Sequence, residues 1–309
     1  MDILETKLIS ELQINPRKSN RSLAELLGVD EMTIKRRIDK LVSSGTIILT
    51  VLPKLDKLGY PFCSLMLIDV EQTRITEIRK QLCQLPYVGF VAQSLERPQF
   101  FIRGDFATIT SMIEFNEEKM STIEGITNIE SMFEYQRIKG LFLHEGNAQV
   151  TRTIATRTDV TSMNQKDHDL IIALQNNARI SFTELALLTG MSETTVTRRI
   201  KVLMQSGIIE FTAIPSAVAM GLPVTSKIRL QTKSSRVIPV AEEIAKYPQI
   251  CYVGVVSGPA PIIVTLNSPS MEAASDFVNF ELFKIKEIKD VYSFSHLNVL
   301  AQTFAWLRE

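Results

Sequence analysis

The segment SFTELALLTGMSETTVTRRIKVLMQSGII, residues 181–209, has the pattern of a helix-turn-helix. Ser181, with Glu184 three residues later, can form a capping box at the start of a first helix. Gly190 suits the left-handed residue that commonly ends a helix. Ser192 can cap a second helix, whose apolar residues recur with helical spacing. The segment therefore predicts two helices around a tight corner, with the apolar stripe of the second helix facing inward.

The outward face of this second helix is polar and basic, which is the chemistry that reads a major groove. Threonines near the start of such a helix can contact base edges or methyl groups, and arginines can contact guanine or phosphate. Arg199 has an alternative role, a salt bridge to a neighbouring acid. The candidate DNA-binding residues here are Thr194, Thr195, Thr197, Arg198, Arg199 and Lys201.

The same pattern occurs earlier in the chain. Residues 12–45 align without a gap to residues 174–207, an offset of 162, and 17 of the 34 pairs are identical. The corresponding helix is more basic, and a salt bridge is again the alternative for Arg37. Its candidate DNA-binding residues are Met32, Thr33, Lys35, Arg36, Arg37 and Lys40. The repeat favours two DNA-reading units over one incidental basic helix.

After each helix-turn-helix, the hydrophobic pattern predicts a short β wing and then the order βαββαβ, as in ferredoxin-like domains. The offset of 162 continues through this part, so the chain contains one two-domain module twice. The predicted fold class is α+β, a tandem repeat of a winged helix-turn-helix and a ferredoxin-like domain. The predicted boundaries are residues 1–52 and 60–147 for the first module, 148–162 for a linker, and 163–214 and 222–309 for the second module.

Composition limits the functional classes. The 309 residues carry a formal net charge of zero, which argues against non-specific coating of nucleic acid. Neither a membrane-spanning run nor a signal-peptide pattern is present, so we expect a cytoplasmic protein. The three cysteines and three histidines do not cluster with metal-ligand spacing. We expect no metal and no cofactor.

Each half of the chain resembles the Lrp/AsnC, or feast/famine, family of regulators. The resemblance is strongest over residues 169–207, in DLIIALQNNAR, LALLTGMSETTVTRRIKVL and the start of SGII. It implies that the sheet domains sense a ligand and oligomerise, and that the two modules form an intramolecular pseudo-dimer with both helix-turn-helix units on one side. The implied partners are double-stranded DNA, a small-molecule effector such as an amino acid or another metabolite, and further copies in a homodimer or homotetramer.

The loop that holds an amino acid in the family departs from the family pattern here. Relatives that bind an amino acid carry a TGxxD-like turn between the second and third strands. The corresponding segments, residues 94–99 and 257–261, both lack the aspartate. A solvated loop is the alternative to an effector site. The effector candidates that remain are Glu96, Arg97, Ser257 and Gly258.

These observations favour a sequence-specific transcriptional regulator that reads two half-sites and is modulated by an effector. One alternative is an architectural or scaffold protein in which one helix-turn-helix has degenerated, because the second unit is less basic. Another is an enzyme, since some relatives act as haem-pathway decarboxylases. The loops contain no histidine, and no catalytic triad, phosphate loop or carboxylate pair appears. We therefore expect the protein not to be an enzyme.

Overall fold

The computed structural model describes residues 2–140, 153–154, 163–233 and 236–302, with backbone alone at 153–154, 293–298 and 300–302. The first half contains α1 (Ile3–Ile14), α2 (Asn20–Leu27), α3 (Glu31–Ser43), β1 (Ile47–Pro53), β2 (Phe62–Val70), α4 (Ile75–Leu82), β3 (Val88–Ser94), β4 (Phe100–Phe106), α5 (Ile109–Glu114), β5 (Ile126–Lys139) and β6 (Thr153–Ile154). The second half contains α6 (Gln165–Asn176), α7 (Phe182–Thr189), α8 (Glu193–Gln205), β7 (Ile209–Pro215), β8 (Val224–Thr232), α9 (Val237–Ile244), β9 (Ile250–Val256), β10 (Ile262–Ser268), α10 (Met271–Asp276) and β11 (Ile288–Gln302).

The chain divides into two compact units that do not coincide with its two sequence modules. Among the described residues, the first unit holds 2–54 and 163–221, and therefore both helix-turn-helix motifs. The second holds both sheet domains. Each unit thus combines corresponding parts of the two modules.

The helix-turn-helix motifs form as their sequences predict. The side chain of Ser19 accepts a hydrogen bond at the start of α2, and that of Ser181 completes a capping box at the start of α7. Both helices end on a glycine with positive φ, 70° at Gly28 and 61° at Gly190. Because an L side chain is strained in this conformation, glycine permits the corner that leads into α3 and α8.

The strand expected to form a local wing after each motif pairs with its counterpart in the other motif. β1 and β7 form a two-stranded antiparallel sheet in which Thr50 lies opposite Thr212. These two residues are 162 positions apart, so each pairs with its own equivalent and a pseudo-twofold axis passes between them. We call this sheet the ribbon. The first helix of each motif also packs against the strand of the other motif, α1 against β7 and α6 against β1. The two predicted wing strands thus form one shared ribbon, because the two motifs satisfy each other's strand edges.

The sheet domains have the predicted βαββαβ order and share one closed sheet. The first contributes strands in the order β5-β2-β4-β3, and the second contributes β11-β8-β10-β9. β3 pairs with β11 and β5 pairs with β9, all antiparallel, so eight strands form a ring that we call the barrel. Ser94 lies opposite His296 and Glu134 opposite Val256, which repeats the offset of 162. The barrel therefore also has pseudo-twofold symmetry.

The helices of each sheet domain cover the outer face of its strands. In the first domain, Met66 and Ile68 of β2 and Ile102 of β4 pack with Ile78 and Leu82 of α4. The second domain has an equivalent core between β8, β9, β10 and α9. These two cores occupy one side of the sheet, which leaves the other side of every strand facing the interior of the barrel.

Some boundaries differ from the sequence prediction. The helical spacing of Ile109, Met112 and Phe115 predicts a helix over residues 106–120, but Phe106 ends β4 and buries its ring in the core, so the helix starts at Ile109. The alternation in VTRTIATR, residues 150–157, is compatible with a short strand in the linker, and the structure has this strand as β6, which pairs with β5. The remaining linker residues and the predicted domain ends at 147 and 309 lie outside the described residues. No helix in the described part of the chain is long and apolar enough to cross a membrane.

Candidate nucleic-acid interface

Helix α3 presents the face expected of a recognition helix. Ile34, Ile38 and Leu41 are buried and anchor the helix to its own motif. On the opposite side, the side chain of Met32 is 77% exposed. The other exposed candidates of this helix are basic: Lys35, Arg36 and Lys40. The helix therefore offers three exposed cations and a thioether to a groove.

Helix α8 has the same inward anchor, formed by Val196, Ile200 and Leu203. Its outward face is less basic, since the exposed candidates are Thr194, Thr197, Arg198 and Lys201. Arg36 and Arg198 are equivalent under the offset of 162, and each is exposed on its helix. This pair is the feature that the two faces share.

The threonines at the start of each helix take part in capping. The Thr33 hydroxyl donates to the Asp30 carboxylate over 2.7 Å, and Thr195 and Ser192 join their hydroxyls over 2.9 Å. Because the Asp30 carboxylate accepts the bond from Thr33 at a helix N-terminus, its pKa stays below its usual value. Thr33 and Thr195 therefore fix the helix start, while their methyl groups remain the part suited to a thymine methyl contact.

Arg37 and Arg199 form ion pairs with the first helix of their motifs. Arg37 lies 2.5 Å from Asp2 and 3.3 Å from Glu5. Arg199 makes a bidentate contact with Asp167, whose side chain is fully buried. The alternative role, a salt bridge to neighbouring acids, is confirmed for both. These guanidiniums therefore hold α3 and α8 in place, and a DNA contact by either of them stays a prediction.

The two ion pairs differ in a way that predicts unequal mutational effects. Replacing Asp167 by alanine leaves the Arg199 guanidinium without its carboxylate, since the equivalent of Asp2 in this motif is the neutral Asn164. We expect D167A to lower the free energy of unfolding by about 3 kcal/mol. The matched variant E5A should cost about 1 kcal/mol, because Arg37 keeps Asp2.

Urea unfolding of both variants measures this difference. Each substitution also removes one capping-box bond, to Asp2 or to Asn164, so that contribution cancels in the comparison. Equal losses in D167A and E5A would contradict the assignment of Arg199 to a structural pair.

Two arginines that sequence reasoning did not select connect the motifs. Arg17 donates to the carbonyls of Ala178 and Ile180 over 2.7 and 3.1 Å. Arg179, its equivalent, donates to the carbonyls of Pro16 and Lys18 and to the Asn20 side chain. Burial lowers the pKa of both guanidiniums. Their identity in the two copies was the available signal, but no local pattern shows that each reaches the other motif.

The effector candidates fall into two groups. Glu96 and Arg97 are exposed on the loop between β3 and β4. Ser257 is engaged instead with β5, since its hydroxyl accepts a hydrogen bond from the Phe133 N–H over 2.9 Å and its own N–H donates to the Phe133 carbonyl. Gly258 turns the chain after it with a φ of 105°. Ser257 therefore helps close the barrel, and a ligand role for all four residues remains a prediction.

The barrel interior contains charged side chains that sequence reasoning also missed. Arg103 pairs with Asp105 over 2.6 Å, and Arg137 pairs with Glu134 over 2.7 Å. Glu134 also accepts a hydrogen bond from the hydroxyl of Tyr252 in the other module. Although burial alone would raise the pKa of Glu134, Arg137 and Arg103 lower it. Burial raises the pKa of Asp105 despite its arginine.

The second module supplies two more cations to this interior. Arg229 donates two hydrogen bonds, of 2.9 and 2.6 Å, to Glu130 of the first module. The Lys227 ammonium donates to the Thr265 hydroxyl over 2.6 Å and lies 4.3 Å from the centre of the Phe101 ring. Burial lowers the pKa of Lys227 to about 8. The interior is therefore a network in which charges of one module meet partners of the other.

The three cysteines are free thiols, with Cys63 and Cys251 buried and Cys83 half-buried. Among the described residues, no group of three or more histidine, cysteine or acidic side chains is arranged to hold a metal ion.

Comparison with protein families gives three matches along the chain. A model described as an AsnC-type helix-turn-helix domain matches residues 1–42. A winged helix-turn-helix DNA-binding model matches residues 163–210, and a model of the Lrp/AsnC ligand binding domain matches residues 225–306. The matches cover both motifs and the second sheet domain.

Individual relatives and structures add to these matches. The HTH-type transcriptional regulator FL11 of Pyrococcus horikoshii is 30% identical over 118 residues, which are 38% of this chain and 78% of that protein. FL11 of Pyrococcus furiosus is 30% identical over 114 residues, 37% of this chain and 76% of that protein. A crystal structure of the siroheme decarboxylase NirDL covers 97% of this chain and 92% of its own, with a TM-score of 0.67 and 11% identity. The last likeness concerns the fold alone.

Proposed function

The chain belongs to the Lrp/AsnC family, and from that premise we propose that it is a sequence-specific DNA-binding regulator that reads two half-sites with one polypeptide. The observation that carries the proposal is the pair of exposed recognition faces, with Arg36 and Arg198 at equivalent positions, joined through a ribbon of twofold register. A twofold pair of readers matches a palindromic site, as in other helix-turn-helix dimers.

The two readers are not identical, so the operator should not be perfectly symmetric. Met32 and Lys35 of α3 correspond to Thr194 and Thr197 of α8. A lysine can bond a guanine edge, whereas a threonine offers a hydroxyl and a methyl group. We expect α3 and α8 to prefer related but different half-sites.

Selection of bound sequences from random duplex DNA tests the proposal. The expected result is an imperfect palindrome with half-site centres about one helical turn, 10–10.5 base pairs, apart. A perfectly symmetric consensus would contradict the different roles of α3 and α8. A pool without enrichment would contradict sequence-specific reading altogether.

Footprinting on the selected site separates this proposal from an architectural role with one degenerate reader. Two protected half-sites per chain support two working readers. Protection of one half-site supports the architectural alternative, whose basis is the less basic face of α8. The same experiment, with mass measured on the complex, tests the expected homodimer or homotetramer.

We further propose that the sheet domains respond to a small-molecule effector and that the chain acts by binding, without catalysing a reaction. In support, most of the charged groups described inside the barrel form ion pairs with one another, as in Arg103–Asp105 and Arg229–Glu130. The competing candidate is a decarboxylase, favoured by the full-length fold likeness to the siroheme decarboxylase NirDL. Incubation with siroheme under reducing conditions, followed by its visible spectrum and by carbon dioxide release, decides between them. Release of carbon dioxide would replace our proposal with the enzyme.

A further inference from the structure

A cleft of about 650 Å³ opens within the helix-turn-helix unit, between α3, β1 and the segment that follows α6. Its polar lining includes Lys35, Asp39 and Arg179, and its apolar lining includes Ile48 and Leu49. This volume lies within the range of small-molecule sites, about 300–1,000 Å³. The cleft has the size for a ligand and contacts the recognition helix directly.

The pseudo-equivalent place in the other half of the unit is occupied by two aromatic rings. The guanidinium carbon of Arg17 lies 4.7 Å from the centre of the Phe182 ring and 5.7 Å from that of Phe211. These distances are those of a cation–π arrangement. In this half of the unit, aromatic rings therefore fill the space beneath the arginine.

The cleft exists where the two copies have diverged in size. Asn20 stands at the position of Phe182, and Leu49 at that of Phe211, while Arg179 stands at that of Arg17. Neither Asn20 nor Leu49 carries an aromatic ring, so the volume of both rings is missing from beneath Arg179. The arginine keeps its backbone contacts, to Pro16 and Lys18. The same scaffold is thus filled in one half and open in the other.

We propose that the cleft binds a small aromatic carboxylate, with its ring against Leu49 beneath the Arg179 guanidinium and its carboxylate at Lys35. The edge donors of Arg179 are already directed to Pro16, Lys18 and Asn20. The flat face of its guanidinium is what a ligand can use, and this face stacks on rings.

The charges of the lining orient such a ligand. Lys35 is an exposed cation on α3 and suits a carboxylate, whereas Asp39, one turn later on the same helix, repels it. A ligand with its carboxylate at Lys35 and its ring directed into the cleft gains the attraction of Lys35 and keeps its charge away from Asp39. Because Lys35 is also a candidate DNA contact, the bound ligand should weaken DNA binding. This last step rests on the proposed function, whereas ligand binding itself does not.

Titration of the full-length chain with 4-fluorobenzoate, followed by ¹⁹F NMR, tests the binding step. We expect saturable binding at one site per chain. The double variant N20F/L49F copies the filled half, and we expect it to weaken binding by more than about tenfold. K35A should also weaken it by about tenfold, through loss of the ion pair and without refilling the cleft.

The reverse variant F182N/F211L is the matched control, because it opens the second half and should add a second, weaker site, in which Thr197 stands in place of Lys35. The proposal is overturned by the absence of saturable binding to wild type, by unchanged binding in both N20F/L49F and K35A, or by equal competition from 4-fluorocyclohexanecarboxylate. DNA affinity measured with and without the probe tests the consequence separately. Unchanged DNA affinity in the presence of bound probe rejects the regulatory step and leaves the site itself standing.

Discussion

The double variant R36A/R198A is expected to bind the selected operator about a thousandfold more weakly than wild type. Each arginine that reads a base or holds a phosphate contributes about 1–3 kcal/mol, and every 1.4 kcal/mol is a factor of ten in affinity. The two residues lie on different helices of the same unit, so we expect their losses to add. Both are exposed on their recognition faces, which limits any effect on folding.

The single variants sharpen this prediction. R36A should lose discrimination in one half-site and R198A in the other, and titration of operators with one half-site scrambled measures which helix reads which half. The control R79A removes an exposed arginine from α4 in the sheet domain, with the same change in net charge. All affinities must be compared at one salt concentration, since phosphate contacts are strongly salt-dependent. Equal weakening by R79A would reduce the effect to net charge and contradict base reading.

The variant K227M is expected to be more stable than wild type at neutral pH and to lose this advantage in alkali. Burial lowers the pKa of Lys227 from 10.5 to about 8. Between these values the unfolded chain binds more protons than the folded chain, so the stability of wild type rises with pH. While Lys227 stays charged below pH 8, the buried ammonium lowers the stability of the wild type, by on the order of 3 kcal/mol.

Denaturant unfolding from pH 6 to pH 10.5 measures this effect as the difference between variant and wild type. Methionine retains the length of the side chain and removes the charge together with its hydrogen bond to Thr265, and leucine already stands at the equivalent Leu65. Burial raises the pKa of Cys251 to about 11 and raises that of Tyr252; both groups are present in both proteins, but only in the wild type does the Lys227 charge lower the pKa of Cys251. The control K246M makes the same change at an exposed site. A pH-independent difference between K227M and wild type would show that Lys227 is not buried as described.

The sequence was sufficient for the local parts of this fold. Ser181 with Glu184 and Ser192 with Thr195 determine where α7 and α8 begin, because capping acts within three residues. The 3.6-residue spacing of apolar side chains identified the buried and exposed faces of both recognition helices, and with them Arg36 and Arg198. The ion pairs of Arg37 and Arg199 could be named only as an alternative, since their partners lie on another helix.

The parts that could not be predicted involve distant segments or a closed interior. The contacts of Arg17 with Ala178 join residues 161 positions apart, and nothing local indicates them. The part KIRLQ of β8, residues 227–231, alternates polar and apolar residues, and such alternation is typical of a strand with one wet face. In the structure Lys227 on that face is buried, because the sheet closes on itself and the face becomes the inside of the barrel. Alternation indicates two chemically different faces, but it does not distinguish solvent from a polar interior.

The ribbon has a consequence for how DNA occupancy should depend on the amount of protein. In regulators whose two readers are separate chains, the second reader arrives by association, and occupancy at low concentration rises with the square of the protein level. Here Thr50 meets Thr212 within one polypeptide, so the second reader is present at a fixed effective concentration. Occupancy of a two-half-site operator should therefore rise in simple proportion to the number of chains in the cell. In a dimer of identical chains, one substitution changes both readers at once. Here α3 and α8 are encoded separately, so each can change its preferred bases independently of the other.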